Sequence, residues 1–221
     1  MKKGLLQKTI EDYLKSIFEI AEVESTVTTT ALARKLHITP ASVTEMVKKL
    51  DGFGYLHYTP YHGIQLTRQG AAYALKIIRR HRLWESFLYR ILEYSWEDVH
   101  KEAEQLEHLM TDSLEGKIDR KLGFPEFDPH GHPIPSSSGK MPKAGSSKRL
   151  SQLRENDEAF VVQVSDSSEQ FLKYVTRLGI RLEQKIKVKE KRDFDGSMLI
   201  SIDGVEWNIS REASEFIFVK K

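Results

Sequence analysis

Thr39 to Leu66, TPASVTEMVKKLDGFGYLHYTPYHGIQL, holds the punctuation that decides the fold. Thr39-Pro40 is a helix start: a hydroxyl to cap free N–H groups, then a proline at the first helical position, where its missing N–H has no partner to lose. Val43, Met46, Val47 and Leu50 recur at helical spacing and give that helix one apolar face. Gly52 and Gly54 end it. Tyr55–Tyr58 and Gly63–Leu66 flank a turn and read as a hairpin. Upstream, Ile10, Leu14, Ile17, Phe18 and Ala21 predict a first helix with Thr9 placed to cap it. Ala31, Leu32 and Leu36 predict a short second helix after the threonine run Thr28–Thr30. This is the order of a winged helix-turn-helix, whose recognition helix lies in the DNA major groove. Thr39, Ala41, Ser42, Thr44, Glu45 and Lys48 would then face base edges and phosphates. Winged helices also serve protein contacts; the hairpin and the helix opening at Thr67 favour DNA.

Working outward, the 221 residues divide by composition. Residues 1–72 form the winged helix. Residues 73–135 begin with two long helices, the second starting at Ser95-Trp96-Glu97-Asp98, a capping-box variant. Residues 136–149, rich in Ser, Gly and Lys, read as a flexible linker. Residues 150–221 switch to period-two patterns at Ala159–Val164, Ile186–Lys189, Met198–Ile202 and Phe216–Val219, the short strands of a small β-barrel or sandwich. The fold class is mainly α with a small β domain. With no cysteine, disulfides and thiol sensing are excluded, and a reducing cytoplasm is expected. No apolar run reaches the length of a membrane span, and residues 5–10 are too short and too polar for a signal-peptide core.

The net charge of +2 conceals a segregation: residues 71–90 sum to +4 and residues 91–116 to −7. Such an acidic stretch is either a solvated helix face or a place for a cation. At about 100° per residue, His100, Glu104, Glu107 and His108 share one stripe, beside an apolar stripe of Val99, Ala103, Leu106, Met110 and Leu114. Ligand-type residues therefore border the core. His81 and Glu85 lie four apart on the preceding helix, from which both side chains project together. Two antiparallel helices would bring His81, Glu85 and His100 into one place. Carboxylate and imidazole donors without sulfur suit divalent Mn, Fe, Co or Zn. Each residue taken singly has a plainer role: Asp12 as a capping carboxylate after Thr9, His81 as part of the basic run Arg79–Arg82, His108 as a hydrogen-bonded histidine at the core edge. The joint spacing favours metal.

The strings EDYL (11–14), SVTEMV (42–47), RHRLWE (80–85), VHKEAEQLEH (99–108) and PHGHPIP (129–135) resemble the diphtheria toxin repressor family of metal-dependent repressors, including its manganese transport regulator branch. The resemblance covers roughly residues 8–135. The order of elements beyond 150 suggests the family's SH3-like, FeoA-like C-terminal domain. It implies a homodimer that binds double-stranded operator DNA when metal-loaded and represses metal-uptake genes, with no membrane and no small organic substrate as partner. Carried over by position, it implies a regulatory site of Asp12, Glu104, Glu107 and His108 and a second site of His81, Glu85 and His100. Ligands from the C-terminal part correspond to Asp128, His130 and Asp166. Iron-type members place Met and Cys where Asp12 and Glu104 stand, so hard oxygen donors point to Mn(II) first and Fe(II) second, with other divalent transition metals able to substitute. The manganese branch has a further carboxylate where this chain has Lys15.

The expected mechanism is a clamp. Asp12, Glu104 and Glu107 without metal repel one another and loosen the first helix; a divalent cation ties it down and sets the spacing of the two winged helices. Such a shift takes about 5 kcal/mol of differential affinity. Two other readings are a di-metal enzyme on the His/Glu helices and a winged-helix regulator of an organic ligand. No nucleophile motif or Gly-rich phosphate loop supports the enzyme.

Overall fold

The computed structural model describes residues 2–143 and 145–221, with side chains from Leu6 onward. It separates into two compact units. One runs to His81 and includes Gln105–Thr111 and Pro135–Lys140; the other holds Arg82–Glu104, Asp112–Ile134 and Met141–Lys221.

The first unit contains α1 (Lys2–Val23), α2 (Thr29–Leu36), α3 (Pro40–Gly52), a hairpin of β1 (Leu56–Thr59) and β2 (Gly63–Leu66), and the first turns of α4 (Arg68–Leu92). Because α1 begins at Lys2, Thr9 lies inside it and does not cap it, which corrects the sequence expectation. Thr39 caps α3 as the sequence predicts, accepting from Ser42 N at 3.2 Å, and Thr28 caps α2 by accepting from Ala31 N at 3.0 Å. The hairpin pairs Leu56 with Leu66 and Thr59 with Gly63. Ile64 N donates to Val27 O at 2.9 Å beside it. Gly63 has φ 103°, and a Cβ there would stand 2.6 Å from Thr26 Cγ2, so glycine is what lets the hairpin seat on residues 26–27. Tyr13 and Ile17 of α1, Leu32 of α2, Val43, Val47 and Leu50 of α3, and Leu56 and Ile64 of the hairpin form one core. Each such side chain contributes about 1.5–3 kcal/mol of burial. Thr39, Ala41, Ser42, Glu45 and Lys48 are exposed on the opposite face of α3; Thr44 is half-buried and donates to Pro40 O at 2.9 Å.

The second unit takes the rest of α4, then α5 (Val99–Leu106) up to Glu104, α6 (Asp112–Lys121) and the β domain. The long helix expected from Ser95 is in fact broken at both ends. Ser95 Oγ donates to the Asp98 carboxylate at 2.5 Å and the helix starts only at Val99. It closes at Leu106 into a 3₁₀ turn, Glu107–Leu109, and Met110 is extended (ψ 119°) before α6 restarts. The β domain comprises β3 (Lys148–Arg149), β4 (Glu158–Val164), α7 (Glu169–Arg177), β5 (Lys185–Lys191), β6 (Met198–Ile202), β7 (Val205–Ile209), α8 (Arg211–Glu215) and β8 (Ile217–Lys220). Its antiparallel sheet runs β3-β8-β4-β5-β6-β7, with bulges at Val161/Gln163 and Val188/Glu190 that let it bend around Val161, Val164, Ile186, Val188, Met198, Ile200 and Ile217. No described helix is long and apolar enough to cross a membrane.

Thr39→Ala, which removes the α3 cap, should lower stability by about 1 kcal/mol, measured as a shift of the urea midpoint with an unchanged slope.

Candidate metal centres

Among the described residues, each unit gathers metal-donor side chains. In the first, α1 contributes Glu11, Asp12 and Lys15, α4 contributes His81, and the 3₁₀ turn contributes Glu107 and His108. His108 Nε2 stands 3.0 Å from Asp12 Oδ1 and 3.5 Å from Glu107 Oε1. Its Nδ1 meets Glu11 Oε2 at 2.6 Å. Glu11 also accepts from Gln7 Nε2 at 3.0 Å and from the Tyr73 hydroxyl at 2.9 Å. A carboxylate only accepts, so without metal His108 donates from Nδ1 to Glu11 and from Nε2 toward Asp12; loss of the Nε2 proton would leave that nitrogen as a ligand while Glu11 keeps the ring oriented. Glu11 is the residue that sequence reasoning missed. Its signal was its place beside Asp12 on the helix, in a string quoted only for its resemblance.

The other oxygen of Glu107 is also engaged. Lys15 Nζ donates to Oε2 at 2.7 Å, and His81 Nδ1 lies 2.5 Å from the same atom. Lys15 Nζ is 3.1 Å from His81 Nδ1 as well. One nitrogen cannot donate to Glu107 and accept from Lys15 together, so Glu107 Oε2 is the shared acceptor of Lys15 Nζ and His81 Nδ1. Burial alone would raise the Glu107 pKa, but His81 and Lys15 outweigh it and hold it at about 2. Burial would lower the pKa of His108, but the hydrogen bonds to Asp12 and Glu11 outweigh it and push it up to about 9. Without metal, that raised pKa stabilises the fold fully below the ordinary histidine value, and the contribution is lost as pH climbs through about 9. Asp12, Glu107 and His108 offer donor atoms all within 4.8 Å of one another. Glu104, expected with them, has its carboxylate 3.5 Å from His100 Nε2.

In the second unit, Glu85 of α4, His100 of α5, the loop Asp128–His132 and Asp166 after β4 converge. His100 Nδ1 is 3.0 Å from Glu85 Oε1 and 3.5 Å from Asp166 Oδ2. His130 Nδ1 is 3.9 Å from Glu85 Oε2. The loop is tightly specified. Asp128 Oδ1 accepts from the backbone N–H of His130 and of His132, both at 2.9 Å, leaving Oδ2 facing inward. Gly131 has φ 87°, and a Cβ would fall 2.1 Å from Val162 O, so only glycine lets the loop lie on β4. His130 O is held there by Val164 N at 2.9 Å. His130 Nε2 donates to the Trp96 carbonyl at 2.9 Å, since a carbonyl cannot donate; the lone pair of Nδ1 is thereby turned inward. Burial would lower the His130 pKa, but Glu85, Asp128 and Asp166 raise it, and Asp166 is held well below the usual carboxylate range by His132 and His100 despite its burial. Asp128 Oδ2, His130 Nδ1 and His132 Nδ1 are buried without a hydrogen-bond partner. That chemistry fits a divalent ion: oxygen and imidazole donors, desolvated, with inward lone pairs. His81 and Glu85 stand one turn apart on α4 as predicted, with His81 Nδ1 directed to Glu107.

Three family models match in succession: the iron dependent repressor N-terminal DNA binding domain over residues 5–64, the iron dependent repressor metal binding and dimerisation domain over 67–136, and the FeoA domain over 148–221. The iron-dependent repressor IdeR of Mycobacterium tuberculosis is 30% identical over 181 residues, 78% of this chain and 79% of that protein. A solved manganese-dependent transcriptional repressor in complex with manganese is 36% identical, covers 95% of this chain and 98% of its own, and superposes with a TM-score of 0.88. ScaR with bound Cd²⁺ is 30% identical with a TM-score of 0.83, covering 96% and 99%.

Lys15→Met removes the ammonium from buried Glu107 and should destabilise the metal-free protein by about 3 kcal/mol, read from urea unfolding in the presence of a chelator.

Proposed function

The chain belongs to the iron-dependent, or diphtheria toxin, repressor family of transcriptional regulators, which are not enzymes, and from that premise we propose that it is a homodimeric, Mn(II)-responsive repressor of metal-uptake genes. The observation that carries the reading is the convergence of Asp12, Glu107 and His108. It joins the first helix of the DNA-binding unit to the 3₁₀ turn after α5. Residues 1–72 are assigned to operator contact through Thr39, Ala41, Ser42, Thr44, Glu45 and Lys48, residues 73–135 to metal binding and pairing, 136–149 to a linker, and 150–221 to the SH3-like domain.

Asp12, Glu107 and His108 would hold the ion at the first centre, and Glu85, Asp128, His130 and Asp166 at the second, with His100 on the other oxygen of Glu85. A bound divalent ion supplies concentrated positive charge that two or three carboxylates share. The chain's own part is to keep that charge exchangeable. With His108 protonated, the approach of Asp12 and Glu107 to its Nε2 rests on one proton, beside the Lys15–Glu107 and Glu11–His108 bonds, and replacing that proton with a stronger cation tightens the contact between α1 and the turn. Lys15 occupies the place where a further carboxylate would recruit a second ion, so the first centre is assigned one ion per subunit. Mn(II) is preferred there because two oxygen donors outnumber one nitrogen, with Fe(II) second. The family's named members include both an iron-dependent and a manganese-dependent repressor.

The test uses a duplex selected by the Mn(II)-loaded protein from a randomised pool. Wild type should bind it at least tenfold more tightly with Mn(II) than with chelator, and Glu107→Ala should lose that difference. Equal, tight binding in all four conditions would rule the reading out.

A further inference from the structure

His132 stands outside the ligand set assigned above, and its surroundings are not those of an ordinary buried ion pair. Its Nδ1 is buried with no hydrogen-bond partner among the described residues. The nearest carboxylate atoms are Asp128 Oδ2 at 3.3 Å and Asp166 Oδ2 at 3.7 Å. A charge-assisted N–H to carboxylate bond closes to about 2.7–2.9 Å, and neither contact does. Asp128 Oδ2 and His130 Nδ1 are in the same condition, buried and without a hydrogen bond. The three residues offer atoms within 4.8 Å of one another.

A group left so costs about 1–3 kcal/mol, and three pointing to one place call for a common partner. Separations of 3.3 and 3.7 Å are near the edges of a coordination polyhedron, since bonds of about 2.1 Å at tetrahedral or octahedral angles place neighbouring donors roughly 3.0–3.5 Å apart. Arg82 Nε, at 3.8 Å from Asp128 Oδ2, stands too far to donate a hydrogen bond to that oxygen, and Nη1 of the same guanidinium donates to Pro133 O. The loop geometry fixes the imidazole where it is. The N–H of His132 is tied to Asp128 Oδ1, its carbonyl accepts from Asp128 N at 3.0 Å, and Gly131 is clamped on Val162.

We propose that His132 is a metal ligand, the second imidazole of a centre completed by Asp128, His130, Glu85 and Asp166. This rests on the metal-dependent reading above and adds a specificity determinant to it. A donor set with two nitrogens favours Co(II), Fe(II) and Zn(II) over Mn(II) more than a set with one does. Residue 132 then sets the metal preference of this centre, while the oxygen-rich cluster around Asp12 remains the manganese-preferring one.

The experiment titrates Mn(II) and Co(II) separately into full-length wild type, His132→Ala and His132→Gln, and counts imidazole nitrogens coupled to bound Mn(II) by pulsed electron paramagnetic resonance. The Ala variant should lose one coupled nitrogen, bind Co(II) at this centre about tenfold or more weakly and bind Mn(II) with a smaller loss. Its metal-free fold should be no more stable than wild type, since Asp128 and Asp166 lose a cationic neighbour, so the nitrogen count and the Co(II) affinity carry the decision. If Ala disturbs folding, the Gln variant must give the same nitrogen count. An unchanged count and unchanged Co(II) affinity, or a variant whose only defect is a less stable metal-free fold, overturns the inference and leaves the function standing. Wild type that binds neither ion overturns both.

Discussion

Charge buried away from water must be matched by charge, and that requirement shapes both centres. Glu107 is 2% exposed, Asp128 2%, Glu85 and His130 0%. A carboxylate so placed is tolerated only with cations or hydrogen-bond donors close by. The protein meets the demand differently at its two centres. Around Glu107 it installs a permanent cation, Lys15, and two titratable ones, His81 and His108. Around Asp128 it leaves inward donor atoms without hydrogen bonds. One cluster is nearly neutralised by its own side chains; the other is held open by a rigid loop. This alters the expected mechanism. The carboxylates of the first cluster do not simply repel one another without metal, because Glu11, Asp12 and Glu107 share the charge of His108 and Lys15. On the proposed reading the switch is an exchange of cations.

Much of this architecture was legible in the sequence, and the readable parts were the local ones. The cap at Thr39, the apolar face of α3 and the hairpin after it depend on residues a few positions apart. Their signals survive without knowledge of the tertiary fold. The His81/Glu85 pair and the acidic stripe were legible for the same reason, as consequences of helical repeat. What escaped was set at a distance. A helical wheel cannot show that α5 tightens into a 3₁₀ turn at Glu107, yet that turn delivers Glu107 and His108 to α1. The pairing of His108 with Glu11 spans 97 positions, and that of Lys15 with Glu107 spans 92. In the β domain, α7 hid its apolar residues Leu172 and Val175 behind a polar average. β7 broke the alternation with its exposed and half-buried Val205, Glu206 and Trp207, as an edge strand does.

The chemistry of the donors divides labour between the centres. Glu11 and Trp96 O each take the proton of one imidazole nitrogen and so direct the other, on His108 and His130 respectively. The same device, a fixed acceptor behind a ligating ring, is built once from a helix and once from a loop that only Gly131 permits. On the proposed reading operator contact falls to α3, whose exposed Thr39 and Ser42 hydroxyls and Lys48 lie away from its core residues. A change in metal occupancy reaches that helix through α1, which shares the core of Tyr13, Ile17, Val43 and Val47.

The central claim is that metal displaces protons and takes over a position that cationic side chains hold without it. Calorimetric titration of Mn(II) at pH 7, repeated in two buffers of different ionisation enthalpy, tests this directly. His108 and His132, both pushed up to about 9, carry protons at that pH and must lose them to coordinate. The heats should differ between buffers by the amount expected for release of about one proton per ligating histidine, and affinity should climb with pH toward about 9. Identical heats in the two buffers, with affinity independent of pH between 6.5 and 9, would contradict it.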